Sequence, residues 1–218
     1  MTSAITTVIL DFGGVLSLPQ DPARVEAMAA LCGLPRAAFL AAYARDRLEL
    51  DRGTLAADDY WARLLARGGV AVTRGLLDRL EHEDALGWTR LNQPMIAWAA
   101  ELRSAGLRTA ILSNMPGEKL RFMRRTPGFQ WINDFDAAYF SCDYRMVKPE
   151  RAFYDVCLSG LSVPPHACLF LDDNPANVDA ARSLGMQAMV FHSVEELAPR
   201  AAGDWHLPVH SLVNGAGR

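Results

Sequence analysis

The stretch "TTVILDFGGVLSLP", Thr6 to Pro19, decides how the chain is read. Three apolar residues, Val8 to Leu10, run into a single carboxylate, Asp11, followed by Gly13, Gly14 and a second apolar run. A short apolar segment without polar alternation predicts a strand buried on both faces, as in a parallel sheet. Asp11 then falls beyond the carboxyl end of a strand, where open parallel sheets bind their ligands.

Four further runs repeat the pattern: Arg108–Asn114, Ala137–Cys142, Cys168–Asp173 and Gln187–His192. Helical patterns separate the later ones, at Met95–Ala105, Glu118–Arg125, Glu150–Gly160 and Pro175–Leu184. Strand–helix alternation of this kind predicts an α/β, doubly wound, Rossmann-like three-layer core around a parallel sheet. The section from Ser17 to Gln93 breaks the alternation with helical runs at Pro22–Cys32, Arg36–Leu50, Ala57–Arg67 and Thr73–Leu86, which predicts an all-helical insert after strand 1. The last stretch, from Asp204 onward, has little periodicity and reads as a loosely held tail.

Half of the 218 residues are hydrophobic, enough for a sizeable core, and the formal charge of −3 is spread without long like-sign runs. That balance argues against nucleic acid or an acidic membrane surface as partner. Four widely spaced cysteines without a C-x-x-C pair predict reduced thiols in a cytoplasmic protein. No stretch approaches the ~20 apolar residues of a membrane span. The five histidines have no metal-ligand spacing.

Polar residues gather at the predicted carboxyl ends. Strand 1 gives Asp11, strand 2 gives Ser113 and Asn114, strand 4 gives Asp172 and Asp173, and the loop after strand 3 adds Lys148. Clustered acids repel one another unless a cation sits among them, and oxygen-only ligands suit Mg²⁺. The lysine and the Ser/Asn donors match a phosphoryl group, and Asp11 is the candidate nucleophile for an aspartyl-phosphate.

Four segments, "DFGGVL" (Asp11–Leu16), "ILSN" (Ile111–Asn114), "VKP" (Val147–Pro149) and "FLDDNPANVDAARSLGM" (Phe170–Met186), stand in the order of the four motifs of the haloacid dehalogenase superfamily. The chain resembles that superfamily over nearly its full length. Its phrases are most similar to the branch of α-glucose-1-phosphate phosphatase and of the amino-terminal phosphatase domain of soluble epoxide hydrolase. The resemblance implies a core of residues 1–16 and 94–203, a helical cap of the first cap class at 17–93, and a tail at 204–218. It implies a Mg²⁺-dependent phosphatase acting on a small phosphorylated metabolite such as a sugar phosphate. Asp11 would be nucleophile and metal ligand, the Gly13 carbonyl a second ligand, Asp173 the direct acid ligand and Asp172 its support. Ser113 and Asn114 would hold phosphoryl oxygens, Lys148 would neutralise nucleophile and phosphate, and Asn177 would assist from behind.

One departure matters. The commonest phosphatases of this family carry an aspartate two residues after the nucleophile, as acid and then base; here that position is Gly13. A positioned acid–base is worth ~10²–10⁴ in rate. Either the leaving group is acidic, as an anomeric hydroxyl is, or a carboxylate of the insert substitutes, or the reaction is not phosphate hydrolysis. For the second option the sequence offers Asp46, Glu49 and Asp51. For the third, a metal-free 2-haloacid dehalogenase also lacks the second aspartate, though it has no use for the pair Asp172–Asp173. A catalytically weak binding or regulatory protein is the remaining alternative. In the insert, Arg45 and Arg47 alternate with acids as on an ion-paired exposed face; the functional option is that Arg47 or Asp46 reaches the substrate's leaving group. Tyr43, Tyr60 and Trp61 either line that surface or pack inside the bundle.

Overall fold

The computed structural model describes residues 4–215. Its central strand, β1 (Thr7–Leu10), is wholly buried and takes a partner on each edge. Ile9 lies in register with Ala110 of β2 (Arg108–Ser113) and with Phe170 of β4 (Cys168–Asp172). With β3 (Ala137–Phe140), which runs straight into the short α8 (Ser141–Tyr144), and β5 (Gln187–Val190) the sheet runs β3-β2-β1-β4-β5, every pairing parallel.

Side chains alternate across a strand, so one apolar run feeds two cores. Val8, Leu10, Ile111 and Leu171 face one layer, packed by Trp98 of α6 (Gln93–Ser104) and Leu120 of α7 (Gly117–Arg125). Ile9, Leu112 and Phe170 face the other, packed by Phe153 of α9 (Arg151–Leu161) and Ala181 of α10 (Pro175–Ser183). This is the three-layer α/β arrangement the apolar runs predict. The observed strands stop before Asp11, Asn114 and Asp173, because those polar residues leave the ladder and turn into loops.

Between β1 and α6 lie the five α-helices of the insert: α1 (Pro22–Leu31), α2 (Arg36–Arg45), α3 (Arg47–Arg52), α4 (Ala57–Arg67) and α5 (Arg74–Leu86). They have their own core, in which Met28, Phe39, Tyr60, Trp61 and Leu80 are buried. The chain enters and leaves this insert side by side, with Leu18 N–H donating to Arg90 O at 2.7 Å and Asn92 N–H to Leu16 O at 3.0 Å.

Two expectations are corrected. The helical run predicted from Arg36 to Leu50 breaks at Asp46, whose backbone (φ −109°, ψ 16°) turns the chain into α3. The break swings Arg47 and Asp51 toward the sheet, and left-handed Gly53 (φ 76°) ends α3 against the Cys142 backbone. The tail is not loose over 204–215: Leu207 and Leu212 are buried, and Trp98 Nε1–H donates to Pro208 O at 2.7 Å. There α12 (His210–Gly215) lies along α6, its first N–H groups held by both carboxylate oxygens of Glu101, at 2.9 and 2.7 Å. A helix the sequence reading omits, α11 (Val194–Gly203), packs on the same layer through Leu197. Among the described residues no single helix is long and apolar enough to cross a membrane; α1 with α2 passes only as a pair bent by 90°.

Candidate active site

The strand tips carry the site. Directly after β1, the Asp11 carboxylate accepts the Phe12 N–H at 2.7 Å, and the chain makes one wide helical turn closed by Ser17 N–H to Phe12 O at 2.8 Å. Gly14 sits in that turn at φ 72°, and a Cβ there would lie 2.4 Å from Asp173 Oδ2. Glycine is required at 14 by both conformation and the approach of that acid.

Because β1 and β4 are neighbours, Asp11, Asp172 and Asp173 converge, with one oxygen of each within 4.8 Å of the others. Lys148 is buried beneath them. Its ammonium donates to Asp172 Oδ2 at 2.6 Å and to Leu112 O at 2.7 Å, and pairs with Asp11 Oδ1 at 2.9 Å. Asp172 also accepts from Asn174 N–H at 2.8 Å and from Asn177 Nδ2 at 3.0 Å. Asp172 is thus buried and saturated, whereas Asp173 is exposed.

Three carboxylates face one ammonium, two formal charges short of neutrality. Burial, joined by the charges of Asp172 and Asp173 and only partly countered by Lys148, pushes Asp11 up to about 7. For Lys148, burial works to lower its pKa, and Asp11 and Asp172 overcome that and raise it. An all-oxygen donor set with a surplus of two negative charges fits a hard dication such as Mg²⁺.

Above the tips, α2, α3, α7 and Trp88 enclose a cavity of about 200 Å³ whose wall includes Asp11, Gly13, Ser113, Asn114 and Asp173. Ser113 ends β2 and is buried there. Asn114 lies beside it, but its carboxamide is committed to the Lys148 backbone, donating to Lys148 O at 2.9 Å and accepting Lys148 N–H at 2.8 Å. The bond ties the two loops together and leaves the carboxamide little to offer a phosphoryl oxygen.

The insert supplies the roof. Arg47 reaches the cavity, and Tyr43 with it; Arg47 Nε bonds Asp51 Oδ1 at 2.9 Å and Nη1 lies 3.3 Å from Asp84 Oδ2, with the Tyr43 hydroxyl against the same nitrogen. Of the three candidate carboxylates only Asp51 lines the cavity. Asp46 pairs with Arg63 at 3.0 Å, and Glu49 is exposed beside Arg52 and Thr54. Arg45 is exposed, while Tyr60 and Trp61 belong to the insert's own core.

Three residues of this site escape the sequence reading: Trp88, Asp84 and Lys119. The Trp88 ring fills the space a side chain at 13 would take, its Cζ3 3.0 Å from a Cβ built on Gly13. On that ring, 4.8 Å from its centroid, lies the Lys119 ammonium, which also pairs with Asp84 Oδ2 at 3.4 Å. Burial lowers Lys119 to about 8 despite Asp84. A signal was present: of 22 basic residues only two are lysines, and both are buried, Lys119 in the cavity wall and Lys148 beneath the acid cluster.

The sheet order, the helical insert after β1 and the acid–lysine cluster at the strand tips define an α/β enzyme with its polar centre at the carboxyl ends of the strands. The chain belongs to the haloacid dehalogenase-like hydrolases, whose family model matches residues 5–185. It is 25% identical over 205 residues to bifunctional epoxide hydrolase 2 of Mus musculus, covering 87% of this chain and 37% of that protein. The chain therefore spans little more than a third of that relative. It is 25% identical over 150 residues to the sesquiterpene phosphatase astK of Aspergillus oryzae, covering 69% of this chain and 73% of the relative. Among solved structures, a HAD family enzyme of Bacteroides thetaiotaomicron superposes with a TM-score of 0.73 at 17% identity, covering 87% of this chain and 95% of that one. That enzyme has also been crystallised with magnesium and inorganic phosphate.

Proposed function

We propose that this chain is a Mg²⁺-dependent phosphatase of the cytoplasm that hydrolyses a small phosphorylated metabolite through an aspartyl-phosphate on Asp11. The observation that carries the reading is the Lys148 ammonium held between Asp11 and Asp172, with exposed Asp173 alongside. Asp11, Asp173 and the Gly13 carbonyl would hold the ion, with Asp172 in support. A bound Mg²⁺ supplies charge neutralisation for nucleophile and phosphoryl group. The phosphatase among the curated relatives, and the magnesium and phosphate bound by the Bacteroides enzyme, support the same chemistry.

In this reading an Asp11 oxygen attacks phosphorus as the ester P–O bond breaks, and water then releases phosphate. Lys148 orients the Asp11 carboxylate and stabilises charge on the transferring group, and Ser113 donates to a phosphoryl oxygen. The contact from Asn114 would come from its backbone N–H. Residues 17–93 act as a cap over the core of residues 1–16 and 94–203, excluding water, with Arg47 facing the leaving group.

The test is a screen of phosphorylated metabolites, sugar 1- and 6-phosphates first, for Mg²⁺-dependent phosphate release. Asp11→Asn is expected to lower turnover by several orders of magnitude with the fold retained. Metal-independent chloride release from a 2-haloacid, with no phosphate released from any ester, would overturn the reading in favour of a dehalogenase.

A further inference from the structure

We propose that Lys119 is the acid that protonates the leaving oxygen and the base that then activates water, taking the role for which Gly13 has no side chain. This rests on the phosphatase reading above. The geometry argues it first. The space in which a side chain at 13 would point is filled by the Trp88 ring, and the group lying on that ring within the same cavity is the Lys119 ammonium. Its pairing with Asp84 is 3.4 Å long, against 2.6 to 2.9 Å for the three contacts of Lys148, so its N–H groups are not consumed by the protein.

The other polar groups of the roof are poor proton carriers. Arg47 does not release a proton under any ordinary condition. Burial raises the Asp51 carboxyl despite Arg47, but its Oδ1 is committed to that guanidinium at 2.9 Å. Asp84 faces Lys119 and Arg47 together, which offset its burial and hold it down at about 2. Tyr43 is raised well above its usual value by burial. Lysine differs from arginine in that burial tunes its proton affinity into a useful range. In a chain with twenty arginines the two lysines are both buried, Lys148 under the acid cluster and Lys119 in this cavity. The groups facing the Lys119 ammonium are Asp84 of α5 and Arg47 and Asp51 of α3. With them its value of about 8 lies near working pH, where an acid–base is most effective.

The protons balance. As Asp11 bonds to phosphorus, the ester P–O bond breaks and its electron pair stays on the leaving oxygen, which takes a proton from the Lys119 ammonium. The neutral amine then takes a proton from the water that attacks phosphorus, the bond to Asp11 breaks, and phosphate leaves. Ester and water have become alcohol and phosphate, and Lys119 is an ammonium again.

The experiment compares kcat/KM for an alkyl phosphate and for p-nitrophenyl phosphate, whose leaving group needs no proton, with Mg²⁺ present. Lys119→Met is expected to lose ~10²–10⁴-fold more on the alkyl ester than on the aryl ester. Lys119→Arg keeps the charge and the packing, and is expected to show the same selective loss. In the wild type the alkyl rate falls above about pH 8, and Lys119→Met lacks that limb. Equal losses on both esters, rescue of the alkyl rate by Lys119→Arg, or a selective loss in Asp51→Asn instead would each overturn the assignment. The wild-type pH profile tests it even if a variant fails to fold. No phosphate release by wild type from either ester would bring down the phosphatase reading itself, a result distinct from any of these.

Discussion

Gly13 and Gly14 are adjacent and have different reasons to be glycine. At 14 the backbone itself forbids a side chain. At 13 the backbone (φ −69°, ψ 128°) suits any residue, and the obstacle is Trp88. Gly13→Asp is therefore expected to cost ~1–3 kcal/mol by overpacking. Adding Trp88→Ala should make the double variant less destabilised than the two single losses summed, as a urea-denaturation cycle would show. Additive losses would mean that the ring is not what excludes the side chain.

Asp84 is the other residue whose environment dictates a measurable outcome. Its burial opposes ionisation, but two cations overcome it and set its value at about 2, below the usual 3.8. A depressed carboxyl stabilises fully above the unfolded value and loses that contribution as pH falls through the folded one. Asp84→Asn is expected to destabilise by ~3–5 kcal/mol at neutral pH, because Arg47 and Lys119 lose their shared partner. Melting temperature measured from pH 5 to pH 2 should then fall less steeply than in the wild type.

At the scale of elements, the sequence is most informative where one segment is buried on both sides. The strands are legible because a parallel strand between two helical layers must be apolar throughout. Asp11, Ser113, Asp172 and Asp173 end such runs, so their gathering on one rim follows from the sheet alone. Lys119, Trp88 and Asp84 stand on three segments that meet only when the insert packs on the core, and no local period marks that meeting. The broken helix at Asp46 is hidden for a related reason. Arg47 alternates with acids as on an exposed ion-paired face, yet besides Asp51 it meets Asp84, 37 positions further on, in a buried cluster. The terminal segment misleads in the opposite way, since Leu207 and Leu212 are too few to show a period but have α6 waiting for them. Leu212→Ala is expected to cost ~2–5 kcal/mol in chemical denaturation. A loss under 0.5 kcal/mol would mean that α12 contributes nothing to the fold.

For the whole molecule, the cluster of three acids is a tension placed across the sheet, since Asp11 follows β1 while Asp172 ends β4 and Asp173 follows it. A ligand that binds only the folded arrangement stabilises all of it by mass action, by about 2.7 kcal/mol at a hundredfold excess over its dissociation constant. Saturating Mg²⁺ is expected to raise the melting temperature, and Asp173→Asn to remove most of that rise. An equal rise in both proteins would place magnesium elsewhere. Besides the paired crossings at Leu18 and Arg90, the insert is tied to the core by Arg52 to Glu150, two bonds of 2.7 Å, and by Ser141 Oγ–H to the Asp51 carbonyl at 2.5 Å. The Lys119–Asp84 pair spans the same boundary.

The scarcity of lysine has a practical side. An endoprotease that cuts only after lysine has a single serviceable bond in the entire polypeptide, between Lys119 and Leu120, because proline follows Lys148 and blocks the other. That bond lies in a helix and under the insert. The rate of one clean nick, producing fragments of 119 and 99 residues, becomes a clock for how often the insert lifts from the core.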